Sequence, residues 1–291
     1  MTPTPSAAPT GSPSRIPTFS HDSLTFDVLD GGPVEGEAVV LLHGFPERAS
    51  HWEEVSRVLH AHGLRTLAPD QRGYSPRARP AGRSAYTMPR LVGDVVALIE
   101  RYGAPVHLVG HDWGAAVAWT LAAERPELVR TLTTVSVPHP AAFVRSLLTS
   151  RQALRSWYML AFQPPGLVEL TVRKAPQLVR AMLGASGLTE AEVDRFWDEI
   201  VDNGALPGGL AWYRALPLSG SAIPGPVTVP TTHVWSDGDS ALARRGAELT
   251  ASQVRASYDL RVLSGVTHWV PTQAPEALAE IILDRTGRDG S

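Results

Sequence analysis

Residues 106–115 read Val106-His107-Leu108-Val109-Gly110-His111-Asp112-Trp113-Gly114-Ala115, and this stretch decides the fold. The first four form a short apolar run with no polar alternation, as expected of a strand covered by helices on both faces. From Ala115 to about Ala123 the chain is rich in alanine and reads as a helix. Between them lies Gly-x-Asp-x-Gly. Two small residues let the backbone turn sharply from strand to helix and thrust the central side chain up at the head of a sheet. That side chain is Asp112, and a carboxylate at a helix N-terminus is stabilised as the anion. An Asp here can also be a simple N-cap. The strand before it and the glycine on each side favour the strained turn instead.

Outward from this turn, apolar runs at 24–29, 38–42, 65–68 and 132–137 read as strands, and 51–62 and 88–102 as helices. A βαβα order argues a mostly parallel sheet and an α/β class. From about 139 to 225 no convincing strand occurs, and helical stretches rich in Leu, Arg and Trp are cut by Pro and Gly. Strand–helix alternation then resumes, with strands at 231–235 and 260–263 and helices at 241–250 and 276–283. The expected organisation is a tail over 1–15 with too little to bury, a core over 16–138 and 227–291, and a helical insertion over 139–226. Loops leaving the carboxyl ends of parallel strands line the ligand crevice, so this insertion is expected to roof the site.

Composition excludes several chemistries. There is no Cys, hence no thiolate nucleophile, disulfide or thiolate metal site. Lys174 is the only lysine, which leaves little room for Schiff-base chemistry. A net charge of -3 gives no nucleic-acid footprint. No apolar run approaches the roughly 20 residues of a membrane span, and the N-terminus has neither the charged nor the apolar segment of a secretory signal. The expected address is cytoplasmic. No metal cluster is evident, no Gly-rich phosphate loop follows the first strand, and no cofactor is expected.

Three further motifs carry a resemblance: His43-Gly44-Phe45-Pro46-Glu47 after the strand at 38–42, Asp70-Gln71-Arg72-Gly73-Tyr74-Ser75, and Val137-Pro138-His139-Pro140. With Gly110–Gly114 in this order, the chain after residue 16 resembles the α/β-hydrolase superfamily and, within it, the epoxide hydrolases. The resemblance implies an α/β-hydrolase fold with a helical cap. It makes Asp112 the nucleophile, and the backbone N–H groups of Phe45 and Trp113 the oxyanion hole. Registering the loop after 231–235 on Trp235 and Leu242 puts the triad acid at Asp239, with Asp237 as the alternative because Ser236 replaces the family's glycine. His268 falls where the base belongs, although Thr267 replaces a glycine, and the order nucleophile, acid, His matches hydrolases. Tyr158 and Tyr213 stand in segments similar to those carrying the family's two cap tyrosines. Trp113, Trp157, Trp212 and Trp269 adjoin these residues and are expected, with Pro46, to wall an apolar pocket. Ordinary core packing is the competing account of each.

The identity of the nucleophile selects the reaction. A carboxylate is poor at opening esters or amides, because the mixed anhydride reverts. It displaces a leaving group at saturated carbon and leaves an alkyl ester, which a His-activated water then cleaves. Epoxides and organohalides are the candidate substrates. An epoxide leaves as an alkoxide and needs proton donors, which Tyr158 and Tyr213 supply. A dehalogenase holds halide between side-chain N–H donors; Trp113 supplies one, but Phe45 stands where the second, an Asn, is usual. The expected reaction is therefore a small-molecule epoxide plus water to a vicinal diol. A dehalogenase and a non-hydrolytic binding or tailoring protein remain as alternatives.

Overall fold

The computed structural model describes residues 14–219 and 223–288. Eight strands form one sheet: β1 (Thr18–His21), β2 (Leu24–Gly31), β3 (Ala38–Leu42), β4 (Arg65–Pro69), β5 (Val106–His111), β6 (Val129–Val135), β7 (Thr231–Ser236) and β8 (Tyr258–Leu263). Their order is β1-β2-β4-β3-β5-β6-β7-β8. The pairs β1–β2 and β2–β4 are antiparallel and the rest are parallel.

The continuous apolar runs are explained by cover on both faces. Along β3, Val40 and Leu42 join one buried cluster while Val39 and Leu41 join the other, as the two-residue strand period requires. Helices α2 (Met88–Tyr102) and α3 (Trp113–Glu124) pack on the first face through Val95, Leu98, Val117 and Leu121. On the second lie α1 (Glu53–Ala61) and a late helix (Pro275–Thr286), through Val55, Leu59, Leu278 and Ile282.

Two local readings change. The strand β1 escaped notice because it is only four residues long; Phe19 is its one buried side chain, stacked on Phe26 at 4.7 Å. Of the tail expected over 1–15, residues 1–13 lie outside the described ones. Ser14 and Arg15 are anchored: the Ser14 carbonyl accepts from Arg65, and Arg15 Nη1 donates to Asp30 Oδ1 at 2.8 Å. No helix among the described residues is long and apolar enough to cross a membrane.

Between β6 and β7 the chain forms α4 (Pro140–Thr149), α5 (Gln152–Arg155), α6 (Trp157–Ala161), α7 (Leu167–Lys174), α8 (Pro176–Ala185), α9 (Glu190–Phe196) and α10 (Leu206–Ala215). Helix α10 docks directly on the 70–75 loop. The Trp212 indole donates to the Arg72 carbonyl at 2.8 Å, and a Cβ on Gly208 would lie 2.3 Å from the Gly73 carbonyl oxygen. The loop motif read from sequence is thus the seat of the helix that carries Tyr213. The helices after β7 are α11 (Arg244–Thr250), α12 (Val270–Gln273) and α13, the helix at Pro275–Thr286.

The strand–helix turn is as tight as its glycines suggested. Asp112 holds φ 50° and ψ -119°, a conformation costly for a side-chain-bearing residue. A Cβ on Gly114 would lie 2.1 Å from the Leu42 carbonyl oxygen, so α3 lies against the end of β3 backbone to backbone. Gly114→Ala should therefore cost about 3 kcal/mol or more, as overpacking against immovable backbone does. In α8, where a Cβ on Gly184 meets nothing within 4 Å, Gly184→Ala should stabilise by up to about 1 kcal/mol. Urea midpoints of the two variants, displaced in opposite directions, check both.

Candidate active site

The turn lifts Asp112 beside the loops that follow β3 and β8. The carboxylate is buried, and the Phe45 amide after β3 donates to its Oδ1 at 2.9 Å. Its Oδ2 faces His268 Nε2 at 3.6 Å. On the other side of the ring, His268 Nδ1 lies 2.9 Å from Asp239 Oδ2. Asp112, His268 and Asp239 thus form one buried line, although 156 residues separate the first two in the chain.

Asp239 is held by its own loop. Its Oδ1 accepts from the amides of Ala241 and Leu242 at 2.7 and 2.8 Å, which leaves Oδ2 for His268. These bonds also explain why the helix expected from 241 begins only at Arg244. Asp237, the alternative acid, is turned outward and accepts from the Gly265 amide at 2.8 Å. Both departures from the family pattern find partners. The Ser236 hydroxyl donates to the Thr267 carbonyl at 2.6 Å, and Thr267 donates through its amide and hydroxyl to Gln273. The His268 carbonyl is fixed by His111 Nε2 at 2.9 Å and the Ser136 hydroxyl at 3.2 Å.

The electrostatics follow from this line of charges. Burial alone disfavours the His268 imidazolium. The Asp239 charge, the Asp112 hydrogen bond and their combined field outweigh it, so His268 titrates well above its ordinary 6.5. Burial likewise raises Asp112, but His268 more than offsets it and the carboxyl ends below its ordinary 3.8. The resting pair is an imidazolium facing a carboxylate. Asp112 also lies at the N-terminus of α3, whose first amide is that of Trp113.

Over Asp112 lies a cavity of about 520 Å³. Tyr158 and Tyr213 both line it, their rings 6.1 Å apart at 76°. Burial raises both phenols, and the Asp112 charge raises them further, so both stay protonated at neutral pH. Phe45 and Trp113 pack edge-on to the Tyr213 ring at 5.4 and 5.0 Å and hold its plane.

Comparison with known proteins agrees with this fold. Residues 37–271 match the family model of the α/β-hydrolase fold. Epoxide hydrolase 2 of Caenorhabditis elegans is 32% identical over 269 residues, covering 87% of this chain and 75% of the relative. An AB hydrolase superfamily protein of Bacillus subtilis, YfhM, is 33% identical, covering 90% of this chain and 94% of the relative. The crystal structure of epoxide hydrolase A from Mycobacterium thermoresistibile is similar at a TM-score of 0.79 and 26% identity, covering 92% of this chain and 96% of that one.

The chain belongs to the epoxide hydrolases of the α/β-hydrolase fold.

Within this epoxide hydrolase site, four residues expected to wall the pocket sit elsewhere. Trp157 is 58% exposed and faces outward from α6. Trp212 is buried behind the cavity wall, where its indole clamps α10 to Arg72. The Trp269 indole donates to Ser186 and pins the base loop to the end of α8. Pro46 and Trp269 border a separate cleft of about 20 Å³. An indole N–H beside a site residue marked a tether here, because a buried N–H must find an acceptor. Trp113 lines the cavity as expected, and the rest of the wall is apolar: Val137, Pro138 and Pro140 from the motif at 137–140, and Met88, Ala116 and Phe143, which no motif marked.

The fold also gathers a group that the sequence did not suggest. Glu47 Oε1 lies 2.5 Å from His51 Nδ1, and Glu47 Oε2 lies 3.3 Å from His111 Nδ1. These are metal-ligand residue types within reach of one another. The two imidazoles are nearly parallel, 5.1 Å apart at 23°, and each faces its own carboxylate oxygen. Their lone pairs do not converge on one point, so the arrangement suits a carboxylate fork between two rings better than an ion. The i,i+4 spacing of Glu47 and His51 was the only cue available in the sequence.

Two titrations test the charge line. The raised His268 value means that its ion-pair stabilisation is complete below 6.5 and is lost as pH rises through the folded value. The lowered Asp112 value means that its share is present above 3.8 and is lost as pH falls through the folded value. In Asp112→Asn the His268 imidazole should titrate lower than in the wild type, as followed by NMR of its ring protons. An unchanged titration would show that Asp112 does not set the charge of the base.

Proposed function

We propose that this enzyme hydrolyses an epoxide to a vicinal diol through an alkyl ester on Asp112. The observation that carries this reading is a carboxylate at the nucleophile turn sharing one cavity with two protonated phenols. Residues 139–226 act as the cap, and 16–138 with 227–291 as the hydrolase core.

The charges balance around a full cycle. Asp112 Oδ2, the oxygen not held by Phe45, attacks an oxirane carbon. The C–O bond breaks, and Tyr158 or Tyr213 donates its proton to the departing alkoxide. Esterification removes the Asp112 charge that helps hold the His268 proton. The imidazolium then returns a proton to the phenolate, leaving a neutral imidazole beside Asp239. That imidazole takes a proton from water as the hydroxide attacks Cγ of the ester. The oxyanion forms on Oδ1, already against the Phe45 amide, with the Trp113 amide as the second donor of the proposed hole. Collapse releases the diol and restores carboxylate and imidazolium. One Asp112 oxygen departs with the diol and one water oxygen replaces it.

The dehalogenase alternative is weaker for a structural reason. The Phe45 side chain is apolar, and the chain's one asparagine, Asn203, is engaged with Arg79. A halide would lack its second side-chain N–H donor.

A single turnover with styrene oxide in ¹⁸O-labelled water should leave one label in the peptide containing Asp112, read by mass spectrometry. Diol formed without label there would overturn the covalent route. Asp112→Ala should lose at least about 10⁴-fold in kcat. Tyr158→Phe combined with Tyr213→Phe should lose about 10²-fold or more, and full activity in that double variant would remove the tyrosines from the mechanism.

A further inference from the structure

The space on the two sides of the nucleophile is very unequal. The 520 Å³ cavity runs from Asp112 along α3 past Ala116 to Thr120. These positions are one helical turn apart, so the run is about 12 Å long. On the Pro46 and Trp269 side a separate cleft of about 20 Å³ reaches neither Asp112 nor either tyrosine.

The long side carries no charge to match an ionic substrate. Among the described residues, the Trp113 indole packs against Tyr213 beside Asp112 and Tyr158, and the other polar side chains lining the cavity are Thr120 and Ser219. The Thr120 hydroxyl donates to the Ala116 carbonyl at 2.9 Å. The Ser219 hydroxyl donates to the Ala215 carbonyl and accepts from the Met88 amide, both at 3.3 Å. Both are committed to backbone, and no Arg, Lys or His lines the wall. A carboxylate placed there would lose its hydration without a partner.

Resting on the epoxide reading above, we propose that the substrate is an uncharged epoxide with a single long apolar arm, lying along α3 toward Thr120. Epoxides with long substituents on both carbons do not fit, since the cavity runs from Asp112 along α3 and the cleft at Pro46 and Trp269 does not open onto Asp112. Epoxides whose arm ends in a carboxylate are rejected by the wall.

The test is a series of terminal epoxyalkanes from butane to decane. It includes the decane isomer with its oxirane at mid-chain, and a terminal epoxide whose arm ends in a carboxylate, beside its methyl ester. kcat/KM should rise about fourfold per added methylene until the arm is filled. The terminal decane epoxide should exceed its mid-chain isomer at least tenfold, and the ester should exceed the free acid by at least as much. Thr120→Phe, which shortens the arm, should lower kcat/KM for the decane epoxide at least tenfold more than that for the butane epoxide. Isothermal titration of the wild-type enzyme with the corresponding diols reads the arm without any chemistry and should give the same order of affinity. Equal affinity for terminal and mid-chain diols, or for acid and ester, overturns the proposal. If no epoxide is opened, the functional reading falls, and the diol titration still decides the arm.

Discussion

The close approach of α3 to the end of β3 is the constraint on which the site depends. Gly114 lies against the Leu42 carbonyl, and a Cβ on Gly44 would lie 2.3 Å from that of Asp112. With side chains at either place the turn would open and Asp112 would leave the Phe45 amide. The positive φ at Asp112 is local strain, and the packed sheet and helix on both sides supply the rigidity that maintains it. Everything else at the site is placed relative to this turn. The acid loop, the base loop and the oxyanion amide all leave carboxyl ends of parallel strands, where the sheet brings them to one edge.

The core was legible in the sequence because its physics is local. An apolar run of five residues at 38–42, with no polar alternation, has only one comfortable place, a strand covered on both faces. Asp112 was legible because the glycines around it demand a tight turn at a strand end, whereas His268 was legible through the resemblance and its order in the chain, with Thr267 where a glycine is usual. The choice between Asp239 and Asp237 was open, because Ser236 stands where the family has a glycine. It depends on which carboxylate the 241 and 242 amides capture, a three-dimensional matter. The same holds for the departures at Ser236 and Thr267. The Ser236 hydroxyl bonds across the loop pair to the Thr267 carbonyl, and the Thr267 hydroxyl ties its own loop to Gln273 of α12, so the loops are held by side chains as well as by backbone shape.

The pocket was the least legible part. Tryptophans near the motifs suggested walls, yet Trp212 and Trp269 serve as fasteners between the inserted helices and the core. An indole is large, but its N–H makes it specific. It settles where a carbonyl waits, and here the carbonyls of Arg72 and Ser186 wait at the contact between layers. The cavity wall requires nothing specific of its residues beyond being apolar and leaving space. Such a requirement marks few of its residues with a motif, and Met88, Phe143 and Leu216 come from three distant parts of the chain.

Charge at the centre links the two halves of the proposed cycle. With Asp112 ionised, His268 is held as the imidazolium and is useless as a base. Once Asp112 is esterified, one of the two carboxylates that hold the proton is gone, while burial still disfavours the charged ring. The imidazole therefore becomes a base at the stage where a base is required and is an acid before it. No moving part is needed for this timing. It follows from placing one histidine between two buried carboxylates, only one of which reacts. The tyrosines complete the scheme: the same Asp112 charge keeps their protons in place until an alkoxide, a far stronger base than water, arrives in the cavity.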